Sequence, residues 1–449
     1  MSLTLDAIRG CLEGAIPGVI ATVASDGTPN VAYLSQVHYV DNDRVALTFQ
    51  FFNKTRENVL ANPRAVVQVI DPDTALHYRL HVEYLHTETE GPLFEHMKAK
   101  LAGIASHTGM SRIFRLLGAD LYRLHAIEPV PGHPLVPATP PRSRLPALRA
   151  LVRRLAAGAD LGALVDAVLD GIRDGLGMTH SMLLMFDAVG QRLYTVASRG
   201  YPASGVGSEI PLGAGVIGVA ARERTPIRIA HWTADYAYTQ AVRRSLDGTL
   251  GASRLETEIP FPGLAQPRSQ LAVPILTADT LLGILYAESP DDSRFNYEDE
   301  DALVALCDCL GLAIRLVHQT ADHGDERLPE SAGPGVPSGC PVVVRRYAAN
   351  DSVFIGEDYL IKGVAGAIFW KLVCDYTRLG RTDFTNRELR LDPRLRLPDI
   401  GDNLEARLIL LQRRLAERCD FLGIEKTGRG RFRLRVERAL ELDEVAACR

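Results

Sequence analysis

Residues 269–289, SQLAVPILTADTLLGILYAES, are two apolar runs around a short polar turn. Their composition predicts two buried strands paired through that turn. Downstream, 296–319 (NYEDEDALVALCDCLGLAIRLVHQ) places apolar residues at helical spacing, so a helix ends this block. Upstream, 181–187 (SMLLMFD) and 192–200 (RLYTVASRG) read as paired strands around Ala188-Val189-Gly190. Between 145 and 177 the apolar spacing is again helical, with Leu161, Leu164, Val165 and Val168 on one stripe. Gly213 to Gly218 is not a dinucleotide loop, which should follow a strand inside a βαβ unit, and is read as a helix start.

This order resembles a GAF domain over roughly 150–318. The resemblance is carried by Gly213-Ala214-Gly215-Val216-Ile217-Gly218, by Pro226-Ile227-Arg228-Ile229, and by Ser269 to Ile275 with Gly283-Ile284-Leu285-Tyr286. It implies a pocket for a small-molecule effector and does not name it. The stretch 230–268 is long for a plain connection and suggests a lid. Trp232, Tyr236 and Tyr238 within it are the candidate pocket residues, suited to covering an aromatic or small apolar effector. The alternative is that these rings are core or dimer contacts. No phosphodiesterase His/Asp cluster and no kinase motif is present.

Toward the N-terminus, 19–24 (VIATVA), SDGTPN and 31–37 (VAYLSQV) read as strand, turn, strand, with Asp26-Gly27 as the hairpin signal. Further strands are expected at 44–51, 65–71, 77–88 and 119–129. A short helix is expected over 53–63 (NKTRENVLANP), with Thr55 as cap and Pro63 as stop. Six short strands with few helices indicate a small antiparallel barrel. The block resembles the FMN-binding split barrel of the pyridoxamine-phosphate oxidase-like superfamily. The carrying residues are Ala21-Thr22 with Asp26-Gly27-Thr28-Pro29-Asn30, and the run from Thr48 to Pro63. The resemblance implies FMN, although members also bind haem, deazaflavin or nothing. Lys54 and Thr55 at a helix start would meet the phosphate. By the same resemblance Ser35-Gln36-Val37 and Thr48-Phe49 lie along the flavin ring, and Asn53 and Asn58 complete the set. A solvated Lys54 is the plain alternative. His77, His81 and His86 admit a haem or metal, or simply decorate a half-exposed sheet.

Toward the C-terminus, 351–363 reads as a hairpin, and 364–380 as a helix with Ile368, Phe369, Leu372, Val373 and Tyr376 on one face. Thr385 to Glu388 and Asp402 to Glu405 are capping boxes that start two more helices. Residues 423–436 (GIEKTGRGRFRLRV) read as two strands around a Gly-Arg-Gly turn. Leu411-Gln412-Arg413-Arg414-Leu415 and Thr427 to Leu434 resemble the third helix and wing of OmpR-type winged helix-turn-helix domains. That resemblance implies duplex DNA as partner, read through Asn403, Arg407, Arg413 and Arg414 on the helix and Arg429 and Arg431 in the wing. Ile409-Leu410 departs from the family, which usually shows a polar pair there. A winged helix that binds only protein is the alternative.

Composition agrees with three units. A chain of 449 residues exceeds one core, and Pro/Gly-rich stretches lie near 129–144 and 320–341. Residues 341–438 carry 20 Arg and Lys against 14 Asp and Glu, inside a chain of formal charge −5, so the basic charge is concentrated there. Seven cysteines without a CxxC pair argue against a disulfide framework or zinc site, and Cys340 is expected to be exposed. No membrane span or signal peptide is predicted, and a cytoplasmic chain is expected. The expectation is a multidomain α/β protein. It comprises a split β-barrel (1–128), a linker (129–144), a GAF α+β domain (145–319), a second linker (320–341), a winged helix (342–438) and a tail (439–449). It would act as a homodimeric one-component transcriptional regulator. The alternative is an FMN-dependent oxidoreductase with regulatory C-terminal domains.

Overall fold

The computed structural model describes residues 3–12, 16–34, 36–49, 54–107, 116–135, 143–158, 160–230, 259–278, 280–321, 340–395 and 404–445. The N-terminal unit is built from β1 (Gly18–Val23), β2 (Pro29–Leu34), β3 (Val37–Asp41), β4 (Arg44–Phe49), β5 (Arg64–Ile70), β6 (His77–Glu88) and β7 (Gly118–Pro129). These strands form one antiparallel sheet in the order β2-β1-β5-β6-β7-β4-β3. Gly27 holds the β1–β2 turn at φ 86°, a conformation that only glycine adopts without strain.

Two expectations change here. The run 31–37 is not one strand: residues 31–34 belong to β2 and Val37 begins β3, which stands at the opposite end of the strand order, giving seven strands instead of six. A helix that was not anticipated, α2 (Pro92–His107), follows the short α1 (Lys54–Ala61). Its Phe94, Met97 and Leu101 pack with Ala46, Ala119 and Leu121, which gives the barrel a second small core.

The central unit contains α3 (Leu145–Ala156), α4 (Leu161–Leu176), β8 (His180–Asp187), β9 (Arg192–Arg199), β10 (Glu209–Pro211), α5 (Gly215–Glu223), β11 (Ile227–Ala230), β12 (Ser269–Thr277), β13 (Thr280–Ser289) and α6 (Tyr297–Ala321). The sheet order is β10-β9-β8-β13-β12-β11. Successive strand residues point to opposite faces. Leu183, Met185, Val273 and Leu285 therefore join a core with α4 and α6, while Met182, Leu184, Ala272, Ile284 and Tyr286 join one with α5. The α4 N-terminus is capped by Asp160, whose carboxylate accepts from the Ala163 N–H at 2.9 Å.

The C-terminal unit runs β14 (Val342–Tyr347), β15 (Ser352–Ile355), β16 (Asp358–Ile361), α7 (Gly363–Leu379), β17 (Asp383–Thr385), α8 (Asn386–Leu391), α9 (Leu404–Arg418), β18 (Leu422–Gly428), β19 (Arg431–Val436) and β20 (Leu440–Val445). Thr385 caps α8 by accepting from the Glu388 N–H at 3.2 Å, as the capping box predicts. The stretch read as a tail, 439–449, is corrected: its residues 440–445 pair in parallel with β14, Val342 opposite Leu440. Leu440 and Leu442 pack against the core through that pairing. The apolar cores of the central and C-terminal units are continuous.

Candidate functional site

Three constellations carry chemistry. The first surrounds α1. Lys54 is exposed at the helix start, 3.3 Å from Glu57. The Thr55 hydroxyl accepts from Asn30 Nδ2 at 2.9 Å, and Asn58 Nδ2 donates to Thr22 Oγ1 at 3.1 Å. Thr55 and Asn58 thus tie the helix to β1 and β2. A helix start with an ammonium, and a hydroxyl that still has its proton to donate, fits one phosphate group. The ring wall fits less well. Gln36 and Val37 are both 3 % exposed and turn into the interior, and Gln36 Oε1 accepts from His38 Nε2 at 2.9 Å. Thr48 and Phe49 are half-buried on β4. The Phe49 ring lies under Arg56, 4.0 Å from its centroid, and Arg56 is held by Asp120 at 2.6 and 2.8 Å. Ser35 and Asn53 lie outside the described residues. Of the histidines, His77 meets Gln68 at 3.0 Å, His81 meets Glu128 at 3.0 Å and His86 meets Glu88 at 3.5 Å. Each therefore has a local partner on or beside the sheet.

Behind Gln36 a polar chain leads out of the barrel. His38 is buried beside His96 and Lys100 of α2, and Lys100 meets Glu300 of α6 at 3.4 Å. Arg228 of β11 holds the same carboxylate at 2.8 Å. Burial, with help from Lys100 and His96, keeps His38 well below its ordinary value of 6.5, so its ring is neutral.

The second constellation lies on the α5 side of the central sheet and was not anticipated. Glu288 is 2 % exposed at the end of β13. Its carboxylate accepts from the Leu264 N–H at 2.7 Å and from the Tyr286 hydroxyl at 2.9 Å. Burial raises its pKa, and the Leu264 N–H, the Tyr286 and Tyr201 hydroxyls and His180 work against that rise. The buried Tyr201 hydroxyl is turned toward the same carboxylate. The available signal was an acid inside the apolar run GILYAES. Trp232, Tyr236 and Tyr238 lie outside the described residues.

The third is α9. Arg407 is 8 % exposed, with Nη2 3.2 Å from Asp187 and its guanidinium 5.3 Å from the centre of the Tyr194 ring. Arg413 donates to Asp166 at 2.9 Å and to the Val196 carbonyl at 3.2 Å. Arg414 is 3 % exposed and donates to the Leu360 carbonyl at 3.1 Å, so it braces α9 against β16. These three arginines, expected to face outward, point into the protein. Arg429 is exposed at the β18–β19 turn, Arg431 is half-buried next to it, and Asn403 lies outside the described residues.

The pyridoxamine 5'-phosphate oxidase family matches residues 4–116, and the GAF domain family matches residues 160–314. The chain therefore carries an FMN-binding-type split barrel followed by a GAF domain. No curated protein matches the chain. Among solved structures, the GAF domain of an Acinetobacter phosphoenolpyruvate-protein phosphotransferase is 21% identical, covering 42% of this chain and 99% of that one, with TM-score 0.31. An FMN-binding protein from Syntrophomonas wolfei is 20% identical over 28% of this chain and 86% of that one, with TM-score 0.24. A free methionine-R-sulfoxide reductase from Neisseria meningitidis is 18% identical over 39% and 91%, with TM-score 0.31. No helix among the described residues is long and apolar enough to cross a membrane.

Proposed function

We propose that the chain is a one-component sensor and transcriptional regulator. The barrel and the GAF domain take the inputs, and the C-terminal unit is a winged helix that binds duplex DNA. The observation that carries this reading is the coupling of two ligand-binding domain types to a basic unit of three helices and a β-hairpin turn bearing Arg429 and Arg431. In this reading α9 reads the major groove with Arg407 and Arg413, Asn403 precedes it in sequence as a further candidate, and the wing arginines contact phosphate. FMN is the proposed barrel cofactor, with its phosphate at Lys54 and Thr55. Bound FMN would supply a redox-sensitive chromophore. The buried polar cluster of Glu288, Tyr286 and Tyr201 would suit a GAF effector that carries a hydrogen-bond donor, such as an amine or hydroxyl, if binding opens a path to it.

The test has two arms. Titration of apo-protein with FMN should give a saturable absorbance change, and Lys54→Ala should weaken it by about tenfold, because charge-assisted contacts to phosphate are the strong ones. A salt series on genomic fragments should show retention that falls steeply with salt. Steady NAD(P)H or pyridoxamine-phosphate turnover without DNA retention would replace this reading with that of a flavin-dependent oxidoreductase.

A further inference from the structure

A DNA-reading helix needs a free face, and α9 has none of the usual kind. Leu404, Leu411 and Leu415 are buried in the core of their own unit. The opposite side meets the GAF domain. Arg407 pairs with Asp187 at 3.2 Å and Arg413 with Asp166 at 2.9 Å. Beside them Lys426 of β18 pairs with Asp160 at 2.5 Å, and Lys362 with Glu209 at 3.1 Å. Four cations of the basic unit thus rest on four acids of the acidic one.

The same seam accounts for Ile409-Leu410, the apolar pair that is out of place in a helix meant for base edges. Ile409 lies against Gly162 at the start of α4, close enough that a Cβ there would stand 3.7 Å from its Cδ1. Leu410 lies against Gly207 in the β9–β10 turn, where the corresponding distance is also 3.7 Å. These side chains fit a protein surface and offer no hydrogen bond to a base edge. Packing across the seam is incomplete: a cavity of about 360 Å³ remains between Leu161, Val317, Ile409, Gln412, Ile424 and Phe432. Charge pairs and a void interrupt the apolar contact that runs from one unit into the other, and interfaces of this mixed kind separate more readily than wholly apolar ones.

We infer that the GAF domain competes with DNA for α9 and the wing, its carboxylates of Asp160, Asp166, Asp187 and Glu209 standing where phosphates would stand. This rests on the DNA-reading assignment above. One surface cannot hold both partners, so DNA binding requires the seam to open, and a GAF effector acts by shifting that balance.

The test uses the full chain with Asp160→Ser, Asp166→Asn and Asp187→Asn combined. Serine still caps α4, and the amide oxygens that Asp187→Asn and Asp166→Asn leave in place still accept from the Val189 N–H, which Asp187 holds at 3.2 Å, and from Arg199, which Asp166 holds at 2.7 Å and Asp170 at 2.8 Å, so the fold is preserved. A control variant, Asp174→Asn, Asp292→Asn and Asp308→Asn, removes the same charge from exposed positions away from the seam. Amide exchange over 404–418 is measured without DNA, and affinity is measured for a mixed-sequence duplex of about 30 base pairs at fixed salt. The expected result is faster exchange over 404–418 and about tenfold tighter binding in the seam variant alone. Unchanged exchange, or equal tightening in the control, overturns the competition while leaving DNA reading intact. Faster exchange with no DNA bound by any variant overturns the DNA-reading assignment, and the competition loses its second partner.

Discussion

His38 shows how one buried ring can set a pH limit. Its folded-state pKa lies below 6.5, so below that pH the unfolded chain binds the extra proton and the folded chain does not. Stability is therefore fully present above about pH 6.5 and is lost as pH falls below it. Thermal melts from pH 7.5 to 5.0 should show a falling midpoint, and His38→Gln should flatten the fall; equal slopes would contradict the assignment. Glu288 has the opposite sign for a carboxyl: its raised pKa makes the ionised form costly, and stability drops as pH rises above its ordinary value of 4.5. Arg414 is a residue whose role is structural. Losing its bond to the Leu360 carbonyl leaves a buried acceptor unpaired and a void, at a cost of about 2–3 kcal/mol. Urea unfolding followed by Trp370 fluorescence, on the adjoining α7, measures this directly for Arg414→Ala.

At the scale of the element, α1 is held by side chains more than by its own propensity. It is eight residues long, too short to be stable alone. The Asn58–Thr22 and Asn30–Thr55 bonds anchor it to the hairpin of β1 and β2. Asn58→Ala should destabilise the barrel by about 1–2 kcal/mol by leaving the buried Thr22 with a weaker set of partners. Lys54→Ala, at an exposed site, should leave the melting midpoint within about a degree while weakening FMN binding. A variant at 54 that melted early would shift Lys54 from a ligand site to a fold-holding one. Helix α3 shows a packing constraint of another kind. A Cβ at Gly171 of α4 would stand 1.8 Å from Leu151 Cδ2, so Gly171→Ala forces the buried Leu151 side chain of α3 out of its place. Overpacking of this sort costs about 1–3 kcal/mol, readable as a lower urea midpoint.

For the molecule as a whole, apolar surface points to self-association. Leu312 and Leu316 on α6 are 65% and 61% exposed, one turn apart on one face, and Val31 and Tyr33 on the edge strand β2 are 66% and 86% exposed. Such side chains on a long helix and an unpaired sheet edge favour a partner copy. Light scattering at micromolar concentration should give a dimer mass, and Leu312→Glu with Leu316→Glu should reduce it to the monomer. A monomer in the unaltered protein would overturn the homodimer that the sequence leads us to expect. Within one copy, the Lys100–Glu300–Arg228 cluster joins barrel to GAF domain, and the α9 seam joins GAF domain to C-terminal unit. A change in the barrel therefore has a route of direct contacts to α9, through two joints each built on charge pairs.

Local pattern was legible in the sequence wherever a few neighbouring residues decide the outcome. The apolar runs of β12 and β13, the Asp26-Gly27 turn, the Thr385–Glu388 cap and the helix starting within Gly213–Gly218 all follow from such windows. Positions in the strand order did not: nothing in 31–37 tells that β2 ends at Leu34 and that the strand beginning at Val37 lies at the opposite end of the sheet. The partners of charged side chains were equally hidden. Arg413 meets a carboxylate 247 residues away, and Glu288 is buried because a sheet and a distant loop close over it. Hydrophobic periodicity and capping are properties of adjacent residues, so the sequence by itself determined most of the local elements and the barrel and GAF domain types, though not α2 or β3. Whether an arginine faces solvent or a buried acid depends on which surfaces the folded domains bring together, and that only the tertiary structure decided.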